Sequence, residues 1–190
     1  MTRKLLGFLV VATAMPLLQG CFPLAVTGVG AAALVAGDRR TAGTYLEDEG
    51  IEWKVMGRLR DEHKTAHINA TSFNRRVLLT GEAPNDEAKK RIEDMVRGVE
   101  NVKEVTNEMQ VAGASSLASR GNDSLITTNV KARMVNNPKF SPIHVKVVTE
   151  AGVVYLLGLV SPEEGDAAVE IARTTSGVSR VVKVFEYVGK

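Results

Sequence analysis

The sequence predicts an α+β sandwich made twice, each copy an αββαβ unit whose three-stranded mixed sheet carries two helices on one face. One sign is an internal repeat: Val77-Leu78-Leu79-Thr80-Gly81 corresponds to Val154-Tyr155-Leu156-Leu157-Gly158, and Gly98-Val99-Glu100-Asn101-Val102 to Gly177-Val178-Ser179-Arg180-Val181. A second is that Ile51, Val55 and Leu59 match Ile126, Val130 and Met134 at a constant offset of 75. Each triplet has i, i+4, i+8 spacing and so forms one stripe on a helix. The third is a pair of period-two segments downstream of each stripe, His67-Ile68-Asn69-Ala70-Thr71 and Ile143-His144-Val145-Lys146-Val147, which read as half-buried strands.

The elements follow in order within each copy. A first helix covers residues 50–62 or 123–136, with Asp123 placed to cap the later one. Asn74, or Glu150-Ala151-Gly152, turns the alternating strand into a more apolar one, giving a local antiparallel hairpin. Ser161-Pro162-Glu163-Glu164 combines a serine N-cap, proline at the first helical position and glutamate at the third, a capping box that starts the second helix. Gly98 and Gly177 end the second helices in the left-handed region, and residues 102–111 and 178–188 supply the last strands. Such a sheet buries one face under its helices and leaves the other for solvent or a partner. A unit below about 70 residues has a marginal core alone. The copies are therefore expected to pack together, joined by a short linker over residues 113–121.

Composition narrows the function. The 190 residues carry 24 lysines and arginines against 22 aspartates and glutamates, which gives no basis for nucleic-acid binding. One cysteine excludes a disulfide framework and an ordinary cysteine-ligated zinc site. Arg3 and Lys4 precede an uncharged run over residues 5–18, the arrangement of an export signal, and Leu18-Gln19-Gly20-Cys21 resembles the lipobox of bacterial lipoproteins. That resemblance implies cleavage of residues 1–20 and acylation of Cys21, and Phe22 in the following position implies sorting to the outer membrane. Residues 21–46 then form a tether, with Asp38-Arg39-Arg40 as exposed loop. Residues 47–112 hold 11 basic and 14 acidic residues, net −3, whereas residues 120–190 hold 9 and 7, net +2. The second half is the better match for an anionic surface.

Enzyme chemistry finds little footing. His63 and His67 straddle a helix and a strand, so a shared metal is not expected, and no Gly-x-Ser-x-Gly elbow, phosphate-cradling loop or paired catalytic cysteine occurs. No cofactor is expected. Trp53 lies off the Ile51 stripe and is expected to pack between the two domains, and Glu47-Asp48-Glu49 reads as an acidic cluster favoured by a helix N-terminus.

Taken together, the αββαβ unit, the Gly81 and Gly158 motifs, the Gly-Val-x-x-Val after each second helix, His67-Ile68-Asn69 and the helix start at residues 122–128 resemble the BON domain. Two copies behind a lipobox, with boundaries at 47–112 and 122–190, are similar to the dual-BON outer-membrane lipoproteins. The resemblance implies a lipid-anchored, non-enzymatic protein at the periplasmic face of the outer membrane. Its second domain would bind anionic phospholipid, phosphatidylglycerol foremost, and would support envelope integrity at the division site. The implied contact surface falls on Asn122, Ser124, Leu125, Ile126, Thr127 and Thr128, with Lys131, Arg173, Thr174, Thr175 and Ser176. Ile126 belongs to the buried stripe, whereas Leu125 lies about 100° round the helix and points outward. An exposed leucine fringed by hydroxyls and by unsatisfied helix N-terminal amides suits a phosphate headgroup. Lys131, Arg133, Arg173 and Arg180 would add attraction to it. A well-known member carries tryptophan at the position of Leu125, and leucine lacks the indole's interfacial preference. The competing reading is an adaptor whose acidic first domain or bare sheet faces dock onto envelope-assembly or cell-wall hydrolase-regulating proteins.

Overall fold

The computed structural model describes residues 37–62, 67–138 and 141–189. Cys21, the leader, the first part of the tether and His63 lie outside the described residues. The first unit runs α1 (Ala42–Glu62), β1 (His67–Phe73), β2 (Arg76–Ala83), α2 (Asp86–Arg97), β3 (Glu104–Asn107) and β4 (Gln110–Val111). The second runs α3 (Leu117–Val135), a 3-10 turn (Pro142–His144), β5 (Val145–Glu150), β6 (Val153–Val160), α4 (Pro162–Arg173) and β7 (Arg180–Tyr187). In each, an antiparallel hairpin is extended by a parallel last strand: β2 pairs antiparallel with β1 and parallel with β3 and β4, while β6 pairs with β5 and β7 in the same senses.

Both first helices begin earlier than the hydrophobic stripe indicates. Thr41 accepts the Thr44 amide through Oγ1 at 3.1 Å and starts α1, and Ser116 accepts Ser119 N at 3.1 Å and starts α3. The two caps stand at the same offset of 75 as the core stripes. Three consequences correct the sequence reading: the tether is folded from residue 37, α3 starts inside the expected linker, and Asp123 is no cap.

Asp123 is instead an interior helix residue, 5% exposed. Its carboxylate accepts the amides of Ala151 and Gly152 at 3.0 and 2.8 Å, the two residues of the β5–β6 turn. Asp48, 75 positions earlier, does the same for Asn74 and Arg75 at 2.8 and 2.7 Å. Both turns have positive φ at both central residues, 54° and 66° in the first, 50° and 74° in the second. That is the hairpin geometry that matches strand twist, but it strains Arg75 and Ala151, which carry side chains. A buried carboxylate holding both turn amides offsets that strain, so Asp48 is a clamp and not a dipole charge.

The repeated glycines also have a local reason. Gly81 sits opposite Ile68 and Gly158 opposite Val145, within strands and not at turns. A Cβ at either would strike the carbonyl of His67 or His144. Gly98, expected in the left-handed region, has φ −83°, and Asn101 takes that conformation with φ 68°. The capping box of α4 forms as written, Ser161 Oγ accepting Glu164 N at 3.2 Å and Glu164 Oε2 accepting Ser161 N at 2.8 Å.

Residue parity along the strands decides the layers. Val77 and Leu79 join Ile51, Val55, Ile92 and Val96 under the helices of the first unit, and Val154 and Leu156 join Ile126, Val130, Met134 and Ile171 in the second. The opposite parity, Phe73 and Leu78 with Val153, Tyr155, Leu157 and Leu159, forms a third apolar cluster between the two sheets. The sheets thus cover each other and the layers run helix, sheet, sheet, helix. Of the two surfaces the adaptor reading offered, the bare sheet faces are closed against each other, and the acidic first domain is left. Polar contacts rim this seam: Asn69 Nδ2 donates to Glu150 at 3.0 Å, Asn74 Nδ2 to Glu186 at 2.7 Å, and Lys146 Nζ to Glu52 at 2.7 Å.

Residues 38–40 are loop with Arg39 exposed, as expected, but Asp38 and Arg40 are half-buried and the segment is tied down. The Arg40 guanidinium stacks 4.0 Å from the Phe73 ring and donates to Asp38 and Asp48. Arg39 donates to Glu164 and to the Leu159 carbonyl at 2.8 Å. The root of the tether is therefore bound to both units.

Candidate membrane-contact site

The two implied segments do meet. Ile126 packs on Gly177, where a Cβ would approach its side chain to 3.1 Å, and Arg133 of α3 donates to Ile171 O, Thr175 Oγ1 and Thr174 Oγ1 at 2.8, 2.7 and 2.9 Å. Residues 122–128 and 171–176 therefore lie side by side, with the second helix end sewn to the flank of α3.

Their individual roles divide sharply. Leu125 is 65% exposed, and Asn122, Ser124 and Thr128 are also exposed. Ile126 is 2% exposed and belongs to the core, so it is unavailable to lipid. Thr127 donates to Thr149 Oγ1 at 2.7 Å, facing β5, and Thr175 is buried. Residues 122–128 lie in the interior of α3, so their amides are already in the helix ladder and none is an unsatisfied N-terminal donor. The hydroxyl fringe is spent as well: Ser124 Oγ donates to Arg120 O at 3.0 Å, Thr128 Oγ1 to Ser124 O at 2.9 Å, and Thr174 Oγ1 to Glu170 O at 2.7 Å. Their hydroxyl protons are thus directed at helix carbonyls and not at solvent.

Among the cations, Arg133 is occupied as described, Arg173 pairs with Glu170 at 2.5 Å, and Arg180 faces Glu108 of the first unit at 3.6 Å. Lys131 is exposed and has no acidic partner within 4.0 Å among the described residues.

The outer flank of α3 carries more than Leu125. Leu117, Gly121, Leu125, Thr128, Ala132 and Val135 follow one another at spacings of three or four, and all are exposed. They fall within about 80° of the helix circumference and extend about 27 Å along it. Three large apolar side chains, Leu117, Leu125 and Val135, stand on this uncharged strip, the last 66% exposed. Sequence reading found only the middle one, because Leu117 lay in the expected linker and Val135 beyond the implied segment; carrying the repeat upstream to the Thr41 and Ser116 caps would have shown the full length. Trp53 is also at the surface, 76% exposed on α1 with Leu46, and not between the domains.

Among the described residues no helix is long and apolar enough to cross a membrane, and no group of histidine, cysteine and acidic side chains could hold a metal.

Comparison with known proteins agrees with this architecture. The BON domain matches residues 47–113 and again 122–189. The outer membrane lipoprotein DolP of Haemophilus influenzae is 41% identical over 173 residues, 90% of this chain and 90% of that protein. The 21 kDa hemolysin of Actinobacillus pleuropneumoniae is 38% identical across 80% of this chain and 79% of its own length. Osmotically-inducible protein Y of Escherichia coli is 30% identical across 73% and 72%. With two matched copies and identity of this extent, the chain belongs to the BON-domain family, as a two-domain protein similar to DolP.

Proposed function

We propose that this protein is a non-enzymatic outer-membrane lipoprotein, acylated at Cys21 and facing the periplasm. Its second BON domain would bind anionic phospholipid, phosphatidylglycerol foremost, in support of envelope integrity and division. The name of the Haemophilus relative supports the location. The observation that carries the lipid reading is the uncharged outer strip of α3, with Leu117, Leu125 and Val135 exposed and, on its edge, Lys131, which has no acidic partner among the described residues.

The physical division of labour is between mooring and selection. Two or more acyl chains anchor a protein stably, so the helix face is not needed for attachment. Tethering raises its local concentration to the order of millimolar, and a weak contact suffices. Leucine side chains entering the headgroup layer contribute part of the roughly 1.5–3 kcal/mol of full burial. One lysine near an anionic surface adds about 1 kcal/mol, which falls with salt.

The test uses the mature chain, residues 21–190, with Cys21→Ser to remove the anchor. It is expected to bind vesicles containing phosphatidylglycerol weakly and salt-sensitively, and Leu125→Glu to abolish binding with the fold intact. Equal binding to purely zwitterionic vesicles would sink the proposal.

A second reading draws on Trp53 and Leu46, exposed on α1. Trp53 and Leu46 stand on a different helix from the α3 strip, and that exposed patch offers a periplasmic protein a surface of its own. A Trp53→Ala variant that binds lipid normally yet fails in cells supports this adaptor role.

A further inference from the structure

Below the strip, a groove of about 330 Å³ opens between the last turns of α3, the 3-10 turn and the first unit. Phe73, Met134 and Val145 form its buried floor, and Val135, Pro142 and Ile143 its more open walls. Lys131, Lys146 and Arg40 stand around it. We propose that this groove takes part of one acyl chain of an anionic phospholipid, with Lys131 at the mouth receiving the phosphate. The proposal rests on the membrane reading above and deepens it, from a surface that touches lipid to a site that holds a single molecule.

Charge selects the occupant. The Arg40 charge is met by Asp38 and Asp48, and that of Lys146 by Glu52. Lys131 alone of the three has no acidic neighbour within 4.0 Å among the described residues, so the rim has one positive charge in excess. An apolar trough with a single unmatched cation fits an amphiphile with one negative charge, such as phosphatidylglycerol. Among the described residues it offers a zwitterionic headgroup no free acid for its ammonium, because Asp38, Asp48 and Glu52 are already paired.

Position points the same way. Val135 is both the end of the exposed strip and a wall of the groove, so the groove is continuous with the face assigned to the membrane. On the other wall, Gly37 lies against Ile143, and its carbonyl accepts His144 Nε2 at 2.9 Å. The chain leading back to Cys21 departs from this point, and its sixteen residues reach no farther than about 55 Å even fully extended. The anchor root therefore keeps the groove, not only α3, within reach of the leaflet.

The experiment uses the mature Cys21→Ser chain and dihexanoyl phosphatidylglycerol below its micelle concentration, followed by methyl NMR, with vesicle binding measured in parallel. Expected is saturable one-to-one binding that shifts Val135, Ile143 and Met134, with no saturation by glycerol phosphate alone. Val135→Asp and Lys131→Glu should each weaken it at least tenfold, while Val135→Leu restores it; Val135 is exposed, so the fold tolerates the change. Vesicle binding without monomer binding overturns the groove and leaves the surface reading standing. Loss of both overturns both. Saturation by glycerol phosphate as strong as by the lipid overturns the acyl site. So does occupancy of the groove without lipid that vanishes when residues 22–36 are deleted, which would assign it to the tether.

Discussion

Replacing Asp48 by alanine tests the account of the fold most directly, because one carboxylate does three jobs. It accepts Ser72 Oγ at 2.7 Å and the turn amides of Asn74 and Arg75 at 2.8 and 2.7 Å, and it meets Arg40 Nη1 at 2.9 Å. Asp48 is 2% exposed and the Arg40 side chain 8%, so water cannot readily replace what is lost. Removing one partner of such a buried pair costs about 3–5 kcal/mol. Arg75, strained at positive φ, also loses the bond that holds it there, worth about 1–2 kcal/mol if the turn relaxes only partly. Overlap between these terms places the expected loss near 4 kcal/mol, a large share of the roughly 5–15 kcal/mol that stabilises a domain. Asp123→Ala removes two turn amides and no arginine, so about 2–3 kcal/mol is expected. Urea unfolding of the mature chain by far-ultraviolet circular dichroism measures both, with the slope unchanged. A loss below about 1 kcal/mol at Asp48, the ordinary range for a surface charge, or a larger loss at Asp123 than at Asp48, would refute the clamp.

Two further outcomes follow from titratable groups. Burial in the inter-sheet cluster pushes the Tyr155 phenol up to about 12. An unfolded tyrosine ionises near 10, so the unfolded state loses its proton first and stability falls as pH rises from about 10 toward 12. Tyr155→Phe should flatten that alkaline decline; an unchanged slope contradicts the burial argument. At the tether root, the hydrogen bond from Arg39 holds the Glu164 carboxyl below the usual carboxylate range. Its contribution is present above the ordinary value near 4.5 and is lost as pH falls through the lower folded one. At pH 8, Glu164→Gln should speed tryptic cleavage after Arg39 severalfold, and an unchanged rate would show that the contact does not hold the root.

What sequence alone determined was whatever recurs at short range. The Ile51 and Ile126 stripes record a helix face at 3.6 residues per turn, the alternating strands a sheet face at two, and Ser161 to Glu164 a cap complete within four residues. Leu125 was legible for the same reason: its angle from Ile126 depends only on the helix. The tertiary structure decided everything that needed a partner from elsewhere in the chain. Asp48 and Asp123 looked like helix-start acids because nothing near them in sequence shows that a hairpin turn arrives above them. Ser124 looked like a lipid donor until a helix beginning at Leu117 gave its hydroxyl the Arg120 carbonyl one turn back. The bare sheet faces vanished against each other, and Lys131 stood out only once each neighbouring cation had found its acid. Periodicity tells which side of an element is hidden. What hides it, and which charges remain unanswered, depends on the path of the chain between elements, and a single residue's neighbours in sequence carry no trace of that path.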